Sequence, residues 1–378
     1  MPASEDLPSR ALMRAFGVTR IGRLTGLDRS GVEVACAVRP RGHVLQASNG
    51  KGRTFRDAAH AALSEAAELA ASETVDPVDL RWASAIQMRG RFGKEAVWGV
   101  GPWMRERTDA DLESITLAWV EGRGLFTGAQ VWVPAAAVFC PPPGQMGLAP
   151  LPVRWTSNGL AAHPRREAAV AHALRELAER DTLARALPQG WTARAVRAFH
   201  LPRAQWAGVS ASAAASAEVM RARGLIPFLF SWPRGAPGGV PLPVAAALLF
   251  DEEGSAIPLT AGYACHTTLG DALEGALWEA AQSRLTDIHG AREDVTPMNA
   301  ADVKRLRGWC QRAARGSSEE AASLPRARKG RRGLPTVTAA FERGGHRQVV
   351  LIDLASARTC GLSVVRALAP GLQLTELL

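Results

Sequence analysis

The sequence predicts an α+β fold in which mixed and antiparallel sheets are backed by helices. Short apolar runs with β-branched residues, typical of strands, are interspersed irregularly with longer helical runs instead of following a strict βαβ order. No short tandem period is present, which excludes a solenoid. The 378 residues are 47% hydrophobic and 21% charged, a composition typical of folded globular chains.

The individual elements follow from local patterns along the chain. Runs that predict strands are short and end at Gly, Pro or charged residues; they lie at 31–38, 115–122, 129–134, 243–250, 347–354 and 363–368. Runs that predict helices lie at 54–73, 165–187, 213–224, 269–289 and about 301–315. Clusters of Gly and Pro at 141–149 and 233–242 indicate loops. Because the composition shows no domain boundary, we expect one domain over residues 1–378.

The formal net charge of +9 is partly concentrated in one segment. Residues 326–333 read RARKGRRG and lie within 316–334, which we expect to be an exposed basic loop. Such a loop could contact nucleic acid, an acidic partner or an acidic stretch of a peptide substrate. Tyr and Phe do not interleave with its basic residues, which argues against nucleic acid as the partner.

Several classes of protein are disfavoured by what the sequence lacks. No apolar run is long enough to cross a bilayer, and the N-terminal MPASEDLPSRALMRAFG does not have the pattern of a signal peptide. A cytoplasmic protein without membrane partners is the resulting expectation. The five cysteines are widely spaced and the histidines form no HExxH motif, which argues against a disulfide framework and a transition-metal centre.

One helical pattern occurs three times, at intervals of roughly a hundred residues. The chain reads ALSEAAEL at 62–69, ALRELAER at 173–180 and ALWEAAQS at 276–283. Residues three apart are neighbours on a helix surface, so each segment places two acidic or amide side chains together. These pairs are Glu65 with Glu68, Glu176 with Glu179, and Glu279 with Gln282.

The residues that precede each pair indicate that the pairs are not ordinary solvated surface. On the same face, Glu65 follows Ala58, Ala61 and Ala62, and the other two pairs follow similar stripes of small residues. Carboxylates at the end of such a stripe would be partly buried, and buried carboxylates must be paired or bind a metal. Mg²⁺ takes oxygen ligands and is commonly shared between carboxylates and substrate phosphates. The predicted metal ligands are therefore Glu65, Glu68, Glu176, Glu179 and Glu279.

Basic residues near these helices are candidates for binding a polyphosphate. Arg180 follows Glu179 directly, and Arg284 lies two residues after Gln282. The stretch SNGKG at 48–52 supplies glycines and Lys51 just before the first helix, where exposed backbone N–H groups favour phosphate. It is not a Walker A sequence. Together these features predict a nucleotide site of unusual design.

Four blocks of the chain resemble the YcaO domain family. LTGLDRSGVEVACAVRP at 24–40, continued by SNGKG and ALSEAAEL, is similar to the start of such a domain, and TSNGLA at 156–161 leads into the second helix. The block ACHTTLGDALEGALWEAAQSRLTDIHGARED at 264–294 is the most specific, and IDLASARTCGLSVVRALAPGL at 352–372 resembles the C-terminal strand pair of the family. The blocks span nearly the whole chain, which implies a YcaO-type fold with a central nucleotide site.

The resemblance implies an enzyme that uses ATP and Mg²⁺ to activate a peptide backbone amide. In this family the amide oxygen is phosphorylated and leaves as phosphate; an internal Cys, Ser or Thr gives an azoline, and external sulfide gives a thioamide. The acidic residues of the three helices match the Mg²⁺–ATP residues of the family. The resemblance adds the remaining nucleotide-binding candidates, which are Lys51, Ser157, Asn158, Arg180 and Gln282.

Two features are similar to the subgroup that works with a TfuA protein and forms thioamides. The chain carries no fused partner domain, and its end, LAPGLQLTELL, lacks the proline-rich tail of azoline-forming members. This implies a peptide or protein substrate and a TfuA-like partner that helps to deliver sulfide, and it leaves a homodimer open.

The chain also departs from the family pattern. Ala61, Leu69 and Gly275 stand where the family often has Ser, Arg and Arg, and His163 replaces a typical glycine. Two alternatives to thioamidation therefore stay open, an azoline-forming cyclodehydratase and a non-catalytic scaffold that binds peptide or partner.

Overall fold

The computed structural model describes residues 7–104, 112–144, 147–150, 153, 155–291, 299–316, 333–355 and 360–374. Apart from its two ends, the expected basic loop at 316–334 lies outside these ranges. The described helices are α1 Arg10–Ala15, α2 Phe55–Glu73, α3 Ala85–Phe92, α4 Arg166–Ala186, α5 Ala193–Phe199, α6 Arg203–Val209, α7 Ala211–Ala222, α8 Leu269–His289, α9 Ala300–Gly316 and α10 Leu334–Arg343. The described strands are β1 Arg20–Arg23, β2 Glu33–Val38, β3 Ala47–Gly52, β4 Leu80–Ala83, β5 Leu117–Gly124, β6 Gln130–Pro134, β7 Leu160–His163, β8 His200–Leu201, β9 Leu225–Trp232, β10 Val244–Asp251, β11 Leu259–Cys265, β12 Val350–Ala355 and β13 Ser363–Leu368.

These strands form three sheets, and every pairing between them is antiparallel. The orders are β1-β2-β3, β11-β10-β9-β8 and β4-β5-β12-β13-β7, with β6 paired to β5 beside that path. Helix α2 packs on the first sheet, α8 on the second and α4 on the third. The predicted α+β class, with antiparallel sheets backed by helices, is therefore confirmed.

The threefold sequence pattern corresponds to a threefold structural unit. In each sheet the strand at one end of the order leads directly into the helix that carries the acidic pattern. The first unit is β3 with α2, the second is β7 with α4, and the third is β11 with α8. Two of the helices begin with the same cap, because Thr54 accepts a hydrogen bond from the N–H of Asp57 and Thr268 from that of Asp271. The helices are thus placed on the sheets in a similar way.

The SNGKG stretch is a strand, which corrects its expected role as a glycine-rich phosphate loop before a helix. It forms most of β3, and Thr54 intervenes before α2 begins. A Cβ atom on Gly50 would lie 2.1 Å from the backbone nitrogen of Ala62. The glycine is needed because the strand packs directly against the backbone of α2.

The same close approach explains the small residues of the third unit. A Cβ atom on Gly262 in β11 would lie 2.2 Å from the carbonyl oxygen of Ala276 in α8. The alanine and glycine stripes therefore bring helix and strand backbones together, and the side chains of Glu65 and Glu279 follow where the stripes end. Glu65 and Glu279 are both only half-buried.

The five cysteines form no disulfide bond, and Cys36, Cys265 and Cys310 are buried. In the part of the chain that the structure describes, none of the helices combines the length and hydropathy that spanning a bilayer requires.

Candidate functional site

Carboxylates of the three patterned helices meet near the ends of the strands that precede those helices. Glu68 of α2 accepts a hydrogen bond from the backbone N–H of Ala162 in β7, at 2.8 Å. Glu176 of α4 accepts one from the N–H of Gly159, at 2.9 Å. The first helix is thereby connected to the strand of the second unit.

The second and third units are connected in the same manner. Glu179 of α4 accepts a hydrogen bond at 3.0 Å from the N–H of Cys265 at the end of β11. Glu279 of α8 forms an ion pair with Lys51 of β3, and the distance between Nζ and Oε2 is 3.0 Å. Since Lys51 belongs to the first unit, these contacts close a ring around one region of the molecule.

Gln282 and Asn49 fix the contact between the first and third units. The Gln282 amide donates to the carbonyl oxygen of Asn49 at 3.3 Å. The Asn49 side chain donates to the Thr286 hydroxyl at 2.7 Å, and Thr286 in turn donates to the Gln282 carbonyl at 2.9 Å. The Gln282 side chain thus already has a partner, and it lies at the edge of the acidic cluster.

The electrostatics show that the carboxyl groups lack enough positive charge. Burial is the main reason that the pKa of Glu68 lies well above its ordinary value, and Glu176 and Glu65 raise it further. Burial also raises the pKa of Glu176, although Arg180 acts in the opposite direction. Burial, opposed by Arg180 and reinforced by Glu279, raises the pKa of Glu179 to about 7. A bound cation would relieve this repulsion.

Two arginines adjoin the carboxyl groups and have unused donors. The side chain of Arg180 is 22% exposed and lies 3.7 Å from Glu179, whereas Arg366 is buried. Burial disfavours the charged form of Arg180, but Glu179 and Glu176 outweigh it and the pKa lies above its ordinary value. Burial lowers the pKa of Arg366 to about 10, with Glu176 acting against that fall. The Nε atom of Arg180 and the Nε and Nη1 atoms of Arg366 are buried and lack a hydrogen-bond partner among the described residues. Unpartnered buried donors of this kind are rare in folded proteins and point to a missing anion.

Arg366 was missed by the sequence reasoning, although a signal was present. It is the single charged residue of the strand SVVRAL, in which every residue is buried. Its Nη2 atom donates to the carbonyl oxygen of Ala137 at 3.3 Å, and its guanidinium lies 5.9 Å from the ring centroid of Trp155. A charged residue in an otherwise apolar strand needs an opposite charge nearby, and here Glu176 supplies one by acting against the fall in the pKa of Arg366.

The TSNGLA loop reaches the cluster through its backbone. Gly159 donates to Glu176, and its carbonyl oxygen accepts from the N–H of Ala367 in β13. Ser157 is exposed and Asn158 is half-buried in the turn that leads to Gly159. The structure therefore brings the loop to the site and leaves the Ser157 side chain accessible.

Arg284, which the sequence predicts as a nucleotide-binding residue, lies outside this cluster. Its side chain is only 3% exposed and donates to Asp28 at 3.0 Å and to Asp251 at 2.7 Å. The remaining nitrogen donates to the carbonyl oxygen of Ile257 at 2.7 Å. Five positions separate it from Glu279, which places the two side chains about 140° apart around the helix axis.

Two of the departures from the family pattern, Leu69 and Gly275, lie in tightly packed places. Leu69 is 4% exposed, so it is part of the core and does not face a ligand. A Cβ atom on Gly275 would lie 2.9 Å from the Cβ atom of Ala264 in β11. An arginine at either position would need a rearrangement of its surroundings, and the cations of this site come instead from Arg180 and Arg366.

The residues of the cluster fit Mg²⁺ and a nucleotide bound together. Within the described ranges, no group of three or more His, Cys, Asp or Glu side chains is arranged to hold a metal ion by protein atoms alone. Mg²⁺ does not need such a cage, because it is usually held by one or two carboxylates together with substrate phosphates. A bound cation would stabilise the charged forms of Glu68, Glu176 and Glu179, whose pKa values are raised. A bound anion would accept hydrogen bonds from the unused donors of Arg180 and Arg366.

Comparison with known proteins gives a consistent result. The family model described as YcaO cyclodehydratase, ATP- and Mg²⁺-binding, matches residues 49–373. The chain is 30% identical over 296 residues to an uncharacterized protein in the tfuA 3′ region of Rhizobium leguminosarum bv. trifolii, and the match covers 78% of this chain and 68% of that relative. It is also 30% identical over 373 residues to an uncharacterized protein of Methanothermobacter thermautotrophicus, with 95% and 90% of the two chains covered.

Two solved structures share the fold at low identity. The structure of YcaO from Methanopyrus kandleri bound with AMPPCP and Mg²⁺ aligns with a TM-score of 0.63 at 22% identity, covering 96% of this chain and 88% of that one. A heterocyclase in complex with substrate and cofactor aligns with a TM-score of 0.68 at 17% identity, covering 96% of this chain and 52% of that one. The expected fold and the expected cofactors, ATP and Mg²⁺, are therefore confirmed at the level of the family. The chain belongs to the YcaO family, and its activity is of the ATP-dependent, amide-activating type that defines this family.

Proposed function

We propose that this protein activates a backbone amide of a peptide with ATP and Mg²⁺ and converts it to a thioamide with an external sulfur donor. The observation that carries the proposal is the convergence of three helices on one cluster, in which burial raises the pKa of three carboxyl groups despite the nearby cations and two arginines retain unused N–H donors. The relative from a tfuA 3′ region supports thioamidation, because TfuA is the partner that the sequence resemblance implied.

The acidic side chains would hold Mg²⁺ between the helices and the nucleotide phosphates. Glu68, Glu176 and Glu179 each accept one backbone N–H at the distances given above, which fixes one oxygen and leaves further lone pairs for a metal. Glu65 adds negative charge next to Glu68, and Glu279 adds it next to Glu179. This assignment retains all five predicted metal ligands.

The basic and amide side chains would hold the phosphates and the rest of the nucleotide. Arg180 and Arg366 present their unused N–H donors, and Lys51 can exchange its contact with Glu279 for a phosphate. Gln282 at the edge of the cluster, with Ser157 and Asn158 of the neighbouring turn, completes the predicted set. Mg²⁺–ATP supplies the phosphoryl group that makes the amide oxygen a good leaving group and neutralises charge as it moves.

Peptide modification would require a partner protein. One solved structure that shares the fold, the heterocyclase, was determined in complex with substrate and cofactor. For this chain we propose a peptide or protein substrate and a TfuA-like partner that delivers sulfide.

Reconstitution with ATP, Mg²⁺, sulfide, a TfuA-like protein and a candidate peptide substrate tests the proposal. We expect a product in which one oxygen atom is replaced by sulfur, with one ATP consumed per modification, and no product from Glu65→Ala or Glu176→Ala. Unmodified peptide together with absent Mg²⁺–ATP binding in a titration of the wild type would overturn it.

Azoline formation is the second candidate, because the matched family model is described as a cyclodehydratase. In the same reconstitution it would give a peptide that has lost one water and needs no added sulfide. Peptide binding without ATP consumption would instead indicate a scaffold, the alternative that the departures at Ala61, Leu69 and Gly275 left open.

A further inference from the structure

A cavity of about 1000 Å³ lies beyond the C-terminal end of α2 and outside the acidic cluster. We call it the β12 cleft. Its wall on one side is the stretch of β12 from Ile352 to Ala355, and its floor includes Val120 and Glu121 of β5. The last turn of α2, with Ala70, Ala71 and Glu73, covers it from above.

The cleft exists because two strands share one edge of β5 and then separate. β4 pairs with residues 117–120 of β5, and β12 pairs with residues 123 and 124. β6 pairs with residues 119–123 of β5 and overlaps both, so it must occupy the opposite edge. Between β4 and β12, Glu121 therefore faces a gap in the sheet.

Beyond Leu351, the edge of β12 that faces this gap has no partner strand among the described residues. Residues 350–355 of β12 pair with β13, whereas only 350 and 351 pair with β5 among the described residues. The N–H of Leu125 donates to the carbonyl oxygen of Val349, so the backbone groups of Val349 point towards β5. Because successive residues of a strand direct their backbone groups to opposite edges, those of Asp353 and Glu121 point into the cleft.

The cleft is acidic, although the protein carries a formal net charge of +9. Asp76, Asp79 and Glu121 line it, together with Asp353. Glu121 and Asp353 have cationic partners outside the cleft, Arg123 at 3.4 Å and Arg166 at 2.7 Å, whereas Asp76 and Asp79 form no ion pair among the described residues.

The two arginines of the cleft also have partners. Arg39 forms a buried ion pair with Glu73 at 2.7 Å, and the guanidinium of Arg81 lies 5.2 Å from the ring centroid of Trp132. The cleft therefore favours a basic ligand.

We propose that the β12 cleft binds an extended, basic segment of the peptide substrate, which pairs with the open edge of β12 as an added strand. Strand addition of this kind obtains affinity from main-chain hydrogen bonds and specificity from alternate side chains. The identification of the ligand as substrate rests on the proposed function. It is supported by distance, since Glu68 of the acidic cluster and Ala71 of the cleft are three residues apart on α2, a rise of about 4.5 Å.

The link to the catalytic region is reinforced by an ion pair. Asp353 at the cleft accepts two hydrogen bonds from Arg166 at the start of α4, at 2.7 and 2.9 Å. Helix α4 carries Glu176 and Glu179, so one peptide held on β12 could extend from the cleft to the cluster.

Fluorescence anisotropy of nucleotide-free, full-length protein tests the proposal. The probes are fluorescein-labelled Lys-Val-Lys-Val-Lys-Val, its Glu-Val counterpart, and two forms of the first peptide that are N-methylated at alternate residues. We expect saturable binding of the basic peptide and at least tenfold weaker binding of the acidic one. At least one N-methylated form should lose tenfold in affinity, because a methylated nitrogen cannot donate to a strand.

A charge reversal separates the cleft from general attraction to the surface. The double variant Asp79→Lys with Glu121→Lys should weaken binding of the basic peptide at least tenfold. Asp302→Lys on α9, where the aspartate is also exposed, is the matched control and should bind like the wild type. Equal binding by all three proteins, or by methylated and unmethylated peptides, would overturn the proposal.

Because this binding is measured without nucleotide, it stays informative if the protein consumes no ATP. Binding without ATP turnover would retain the cleft and remove the proposed enzyme activity, whereas turnover without cleft binding would do the reverse.

Discussion

The molecule contains two buried clusters of charge that differ in one respect, whether their charges are balanced. In the first, Arg284 lies between Asp28 and Asp251, and all of its nitrogens have partners. In the second, Glu68, Glu176 and Glu179 gather beside Arg180 and Arg366, whose guanidinium groups retain unused donors. The first cluster joins α8 to β10 and to the segment before β2, and the second joins α2, α4 and β13, so each brings together residues that are distant in sequence.

The pKa values show the difference directly. Burial would raise the pKa of Asp251, but hydrogen bonds from Ser255 and the N–H of Glu253, together with Arg284, place it below its ordinary value. In the acidic cluster, burial prevails and the pKa values of the glutamates are raised. A balanced buried cluster maintains the fold, whereas an unbalanced one is stable only because the surrounding structure imposes it, and it is the expected place for a ligand.

The largest effect that distinguishes the two clusters should come from Arg284→Met. Removing this guanidinium leaves Asp28 and Asp251 buried with too little positive charge, and breaking a buried pair in this way costs about 3–5 kcal/mol. The free energy of unfolding, measured in urea, should fall by that amount. Arg305→Met removes a partner from an exposed ion pair and should change it by less than about 0.5 kcal/mol. Equal stability of both variants would mean that the Arg284 cluster is not structural.

The next largest effect should be on catalysis and not on stability. Glu176→Gln keeps the shape and the acceptor for the N–H of Gly159 while removing a charge that burial already disfavours. We expect turnover to fall at least about 100-fold, or roughly 2.7 kcal/mol, with an unfolding free energy equal to that of the wild type or higher. Glu167→Gln, at an exposed position of the same helix, is the control and should retain wild-type turnover. Normal turnover by Glu176→Gln would contradict our assignment.

The two clusters should also respond to pH in different ranges. The pKa of Glu179 is raised to about 7, so its contribution to stability is present below the ordinary pKa of 4.5 and is lost as pH rises towards 7. The pKa of Asp251 is lowered, so its contribution is lost only as pH falls below its ordinary value of 3.8.

We therefore expect Glu179→Gln to gain stability relative to the wild type as the pH rises from 5 to 8, by about 1–3 kcal/mol, in protein freed of Mg²⁺. Urea unfolding at several pH values measures this difference. If the two proteins lose or gain stability in parallel over that range, Glu179 does not titrate there and the cluster is better balanced than its geometry indicates.

The sequence indicated the members of the acidic cluster better than their surroundings. The helices α2, α4 and α8 and their glutamates could be predicted because helical period and the repeated pattern are local properties. The role of SNGKG could not, because whether Gly50 serves a phosphate or a helix depends on the packing of Ala62 against it, a contact that only the fold creates. The partners of Arg284 could not be predicted for the same reason, since Asp28 and Asp251 lie 256 and 33 residues away in sequence.

The smallest of the expected effects comes from Arg366, and it tests most directly whether the acidic cluster has unbalanced charges. Its pKa is lowered to about 10 by burial, and two of its nitrogens have no partner, so Arg366→Met should leave the unfolding free energy unchanged or raise it slightly. If the unused donors await phosphate, the same change should weaken Mg²⁺–ATP binding about tenfold in a calorimetric titration, or about 1.4 kcal/mol, while exposed Arg343→Met has no effect. A large loss of stability with unchanged nucleotide affinity would instead show that Arg366, like Arg284, stabilises the fold.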